Sequence, residues 1–167
     1  MNCDDQGTEV RMPKVTAMDT GAGLMTTRPT LSRARARRLV DAAAREAEAI
    51  SVAVTIVVCD ESGVVKEMCR MDGAPLVSVQ TALSKAYAAA AIGMPPDDFY
   101  AAIVSDGAAV ASFATRPGLA LIGGGMPVMA DTQVAGAIGV AGAMTAAEDR
   151  RIAEVAVSRA GGEQASG

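Results

Sequence analysis

The sequence contains no histidine. A Ser-His-Asp triad, a Cys-His pair, a histidine zinc site and histidine-ligated haem are therefore excluded together. Tryptophan is also absent, and 2 Phe and 2 Tyr are the only aromatic residues among 167. No run approaches the ~20 apolar residues of a membrane span, so no membrane partner is expected. Basic residues are not in excess: 15 Lys and Arg face 19 Asp and Glu, for a net charge of −4. That balance gives no electrostatic case for nucleic acid. The three cysteines, Cys3, Cys59 and Cys69, are too few and odd in number for a disulfide scaffold. Two reduced, buried thiols at Cys59 and Cys69 and a cytoplasmic location are the expectation, and no metal site is expected.

Half of the residues are nevertheless apolar, Ala foremost, with 10 Met among them, and 17 Gly stand beside these. The core must be built from small and flexible side chains. Residues 1–29 have no sustained period, and neither a basic leader nor an apolar stretch of signal-peptide type, so they read as a flexible tail. Residues 161–167 read as a second one. Residues 30–160 form the expected single domain, a size that can bury a real core.

Thr30 or Ser32 can cap a first helix whose Leu39, Ala43, Ala47 and Ile50 recur at helical spacing. Arg33, Arg35, Arg37 and Arg38 near its start are either a basic patch for an anion or a solvated face. The β-branched run 51–59 reads as a buried strand, turned at Asp60 to Gly63 into a second strand over 64–71. Residues 77–92 form an Ala-dominated helix ending at Gly93, and Pro95-Pro96-Asp97-Asp98 starts a short one. Residues 105–118 are partly helical, then loop. Residues 119–122, 128–130 and 134–142 read as three further strands, the first two separated by Gly123 to Pro127. Thr145-Ala-Ala-Glu148 is a capping box that opens the last helix, with Ile152, Val155 and Ala156 inward. Hairpin-linked neighbours make an antiparallel sheet of five strands in an α+β fold.

Three segments carry candidate chemistry. Arg70-Met-Asp72-Gly-Ala74 places opposite charges two residues apart, either as a carboxylate clamp oriented by Asp72 or as a structural pair. Lys85 is the single charge in an Ala-rich helix, either snorkelling to water or desolvated into a usable acid, base or anchor. Gly123, Gly124 and Gly125 lack a phosphate-loop pattern, yet glycine there lets backbone approach a ligand or cofactor closely. Gly136, Gly139 and Gly142 recur every third residue of the last strand, where helices or a second subunit could pack closely.

Val54 to Gly63, Arg70 to Ala74, Ser84-Lys85-Ala86, Gly123 to Pro127 and Gly136 to Gly142 occur in this order. In these segments the chain resembles the GlcG-like, haem-binding-protein-like (HbpS-like) family, related to the C-terminal domain of some corrinoid adenosyltransferases. The resemblance implies a profilin-like, five-stranded antiparallel sheet flanked by helices. It also implies self-association into dimers or higher oligomers, commonly octamers. A pocket for a small organic ligand is implied near the Arg70–Asp72 turn, the Lys85 helix and the Gly123–Pro127 loop. Haem is the cofactor the resemblance implies, although without histidine its iron would need another ligand. The alternative activity is a metal-free lyase or isomerase acting on a small anionic or aromatic acid, with Arg70 as anchor and Lys85 as acid/base.

Overall fold

The computed structural model describes residues 27–162. Of the tails expected over 1–29 and 161–167, residues 1–26 and 163–167 lie outside the described residues. Nine elements follow in order: α1 (Arg33–Ala49), β1 (Thr55–Asp60), β2 (Val65–Arg70), α2 (Val77–Ile92), α3 (Pro96–Ile103), α4 (Gly107–Ala114), β3 (Gly125–Ala130), β4 (Gln133–Ala141) and α5 (Ala146–Gly162). The last helix thus continues through Gly161 and Gly162.

Local chemistry explains the boundaries. Ser32, not Thr30, caps α1, its hydroxyl accepting from the Arg35 amide at 3.2 Å. Ser32→Ala is expected to cost about 1 kcal/mol of stability, read from urea denaturation. The β1–β2 turn is held by Asp60 Oδ1, which accepts from the amides of Ser62 and Val64 at 3.1 and 2.9 Å. Gly93 closes α2 in the left-handed region at φ +81°. Asp106 resolves the ambiguous 105–118 segment by capping α4 through the amides of Ala108 and Ala109. The capping box forms as expected: Thr145 Oγ1 accepts from the Glu148 amide, and Glu148 Oε2 accepts from the Thr145 amide.

The sheet has four antiparallel strands in the order β2-β1-β4-β3, not the expected five. Residues 119–122 are irregular backbone. β3 is an edge strand and carries Pro127, whose missing N–H weakens it as a template for a further strand. The ladder on β4 ends one residue before β3, where the Val140 amide donates to the Gly124 carbonyl at 2.8 Å. Leu119, Leu121 and Ile122 turn aside to line a cavity instead.

Alternation along the central strands sorts the core into two layers. Ile56, Val58, Ile138 and Val140 face α1 and α5, while Val57, Cys59, Ala137 and Ala141 face α2. The glycines of β4 follow this alternation. Gly136 faces Leu31, and Gly139 lies under Ala82 and Ala86 of α2 so closely that a Cβ would overlap their backbone. An Ala-rich helix on a glycine-bearing strand lets two backbones approach, which is how a chain poor in aromatics fills this layer.

A register shift between Val58 and Cys59 places Cys69 opposite Ile56. Cys59 is then three residues further along, roughly 10 Å at strand rise, and both thiols are free. Arg37 of the arginine cluster pairs with Asp41 at 3.2 Å and Glu67 at 3.8 Å, its side chain mostly in solvent. Among the described residues, no helix is long and apolar enough to cross a membrane.

Candidate functional site

Lys85 is the largest fully buried side chain among the described residues, with 1% of its surface exposed. It leaves the inner face of α2 between Ala82 and Ala86, both themselves buried. Its Nζ donates to Asp149 Oδ2 at 2.8 Å and to the Val140 carbonyl at 3.0 Å. Asp149 lies in the first turn of α5 and is 4% exposed. Its Oδ1 accepts from the Ala143 amide at 3.1 Å. The pair joins helices from opposite faces of the sheet, meeting past the end of β4. Burial pushes the Asp149 carboxyl above its ordinary range, while the hydrogen bond and charge of Lys85 pull it back.

The glycine loop makes this meeting possible. Gly124 has φ +113°, and a Cβ on it would lie 2.8 Å from Lys85 Nζ and 2.9 Å from Asp149 Cβ. A Cβ on Gly125 would lie 2.6 Å from the Lys85 carbonyl, and one on Gly123 would lie 2.7 Å from the Ala146 carbonyl. The close approach that Gly123, Gly124 and Gly125 permit is made here by the chain's own Lys85, Pro96 and Ala146.

Two cavities flank the pair. A cleft of about 230 Å³ is walled by Lys85 and Asp149 with Ser78, Thr81 and Met144. A larger cavity of about 600 Å³ lies between the α3–α4 segment and the start of α5, walled by Tyr100, Phe113, Leu121 and Ala147. Ile122 and Ala146 line both, so the two compartments adjoin. Three of the four aromatic residues build this region: Phe99 stacks edge-on against Phe113 at 5.0 Å, and Tyr100 lines the wall. Arg150 ties α5 to α3 through Asp97 and Asp98, both at 2.6 Å, and also binds Glu154 at 2.7 Å. These three hydrogen-bonded carboxylates raise the guanidinium's pKa further, and Asp98 is lowered in return.

The candidate residues are therefore only partly assembled. Lys85 and the glycine triplet come together, whereas Arg70 and Asp72 line neither cavity. Arg70 Nη2 donates to the Ala74 carbonyl, bracing the turn into α2, and forms no ion pair with Asp72 among the described residues. Sequence reasoning missed Asp149, Arg150 and the aromatic wall. Their signals were a lone lysine requiring a counter-charge, and the crowding of scarce aromatics into 99–113.

Cys59 is no nucleophile. Burial pushes its thiol up to about 11, and its Sγ donates to the Ala86 carbonyl at 3.6 Å. Iodoacetamide at pH 8 is expected to label Cys59 only after denaturation, as read by peptide mass spectrometry.

Known proteins resemble this chain in sequence and in fold. Protein GlcG of Escherichia coli K12 is 33% identical over 116 residues, covering 70% of this chain and 84% of that protein. A 15.0 kDa protein from the dhaT–dhaS intergenic region of Citrobacter freundii is 33% identical over 130 residues, 77% of this chain and 90% of that one. The crystal structure of Klebsiella pneumoniae ORFY superposes with a TM-score of 0.76 at 26% identity, covering 87% of this chain and 98% of that chain. A PduOC–haem complex superposes at 0.71 with 25% identity, over 77% of this chain and 94% of that chain. The family model described as haem degrading protein HbpS-like matches residues 31–158, and the chain belongs to that family.

Proposed function

We propose that this protein binds one small organic ligand whose apolar body occupies the cavity between the α3–α4 segment and α5. The observation that carries this reading is the cavity itself: about 600 Å³, walled mainly by Tyr100, Phe113, Leu121 and Ile122. Its size falls within the range of small-molecule sites, and its apolar lining with few polar groups is their usual composition.

Haem, the ligand named for the PduOC complex, supplies a test of fit. The apolar walls suit the body of an organic ring. The donor set does not suit its iron: the sequence has no histidine, and the polar side chains on this wall are Asp97, Tyr100 and Arg150. Asp97 and Arg150 hold each other at 2.6 Å, which leaves the Tyr100 phenol. The residues present therefore do not fit histidine-type haem ligation, and binding rests on the apolar walls.

Titration with haemin and with metal-free protoporphyrin IX checks this reading. Comparable affinities for the two are expected, with both weakened by Ala147→Phe, which fills the cavity from an exposed position. Haemin binding more than about tenfold tighter than the metal-free ring, a difference of about 1.4 kcal/mol, would show that the iron is ligated. Affinities untouched by Ala147→Phe would place the ligand elsewhere.

A further inference from the structure

The Lys85–Asp149 cleft adds a polar end to the apolar cavity, and its charge balance defines the chemistry it takes. A lysine ammonium has three N–H donors. Two are used, on Asp149 Oδ2 and the Val140 carbonyl. The third has no partner among the described residues, although the side chain is buried and lines the cleft. What Lys85 offers the site is therefore one hydrogen-bond donor in surroundings of low dielectric.

It does not offer net positive charge. Lys85 is neutralised by Asp149 at 2.8 Å. Arg150, the other cation on these walls, is answered by Asp97, Asp98 and Glu154 within 2.7 Å. A free carboxylate entering here would be desolvated without an uncompensated cation to receive it, which is costly. An uncharged carbonyl oxygen needs only the vacant donor.

We infer that the ligand is an uncharged carbonyl compound with an apolar, ring-sized body, its oxygen accepting from Lys85 and its body in the adjoining cavity. This rests on the seating of the apolar body proposed above. It also differs from the small anionic or aromatic acid anticipated from the sequence, because Arg70, the anchor expected for that acid, lines neither cavity. Asp149 acts through Lys85, holding the ammonium so that its vacant N–H faces the cleft.

A matched series tests it: 2-acetylnaphthalene, 2-ethylnaphthalene and 2-naphthoate. The chain has no tryptophan, so naphthalene fluorescence reports binding directly. The ketone is expected to bind about 10- to 150-fold tighter than the hydrocarbon, the range of one charge-assisted hydrogen bond, and tighter than the carboxylate. The double variant Lys85→Met/Asp149→Asn should bring the ratio of ketone to hydrocarbon affinity down to about one. The carbonyl stretch of 2-acetylnaphthalene bound to the unmodified protein should move to lower wavenumber, which gives a readout independent of how any variant folds. Equal affinities for ketone and hydrocarbon, or an unshifted stretch, would overturn the carbonyl assignment and leave the cavity reading intact. Tightest binding by naphthoate would overturn it in favour of an anion site. No binding by any of the three would overturn the cavity reading itself, and the carbonyl assignment with it.

Discussion

Lys85→Met is expected to destabilise the protein by about 3–5 kcal/mol, because it leaves the Asp149 carboxylate buried without its counter-charge. Urea denaturation at pH 7 checks the magnitude. The double variant Lys85→Met/Asp149→Asn should recover most of it, since an amide keeps the acceptor for the Ala143 amide and carries no charge. The pH dependence has a definite sign. Burial already raises the Asp149 carboxyl, and without Lys85 both of that residue's lowering influences vanish. A carboxyl raised by folding lowers stability once pH rises above its unfolded value, and the loss is complete above its folded one. The single variant should thus regain stability relative to wild type as pH is lowered through the raised range, and the double variant should not. A single variant as stable as wild type at every pH would show that the pair contributes nothing to the fold.

Gly139→Val should be comparably severe, at about 3 kcal/mol or more. The new side chain would enter the backbone of α2 at Ala82 and Ala86, groups that cannot rotate away. α2 would have to lift from β4, and Lys85, carried on that helix, would lose its reach to Asp149. Gly107→Ala is the matched control, because a Cβ there meets nothing within 4 Å. Thermal melts of the two variants should separate clearly. Equal melting temperatures would mean that α2 and β4 do not pack backbone to backbone at Gly139.

These two sites also show which parts of the molecule could be read from the chain. α2 was legible to the residue because its Ala run is bounded by Pro75 and by Gly93, both local signals. The β1–β2 turn and the α5 capping box were legible for the same reason. The strand expected over 119–122 was not, because four apolar residues satisfy a cavity wall as readily as a sheet, and only the edge position of β3 with Pro127 decides between them. Lys85 stood out because a charge amid alanines is anomalous in any register. Its partner did not, since Asp149 is 64 residues away and looks locally like an ordinary acidic first-turn residue. Arg70 misled in the opposite direction: its spacing from Asp72 promised a pair, and the turn instead delivered it to a backbone carbonyl.

The α3–α4 segment forms one wall of the larger cavity with little hydrophobic anchorage. Pro96 is the one buried residue of α3, and α4 has none. Its firmest attachment is ionic, through Arg150 to Asp97 and Asp98. A segment of this kind opens at a lower free energy than the whole molecule unfolds, and its amides exchange with solvent first. Opening of this segment removes one wall of the cavity. Added salt screens the ionic attachment and favours the open form, whereas an apolar ligand bridging the two walls favours the closed one, so salt and ligand compete without sharing a binding site.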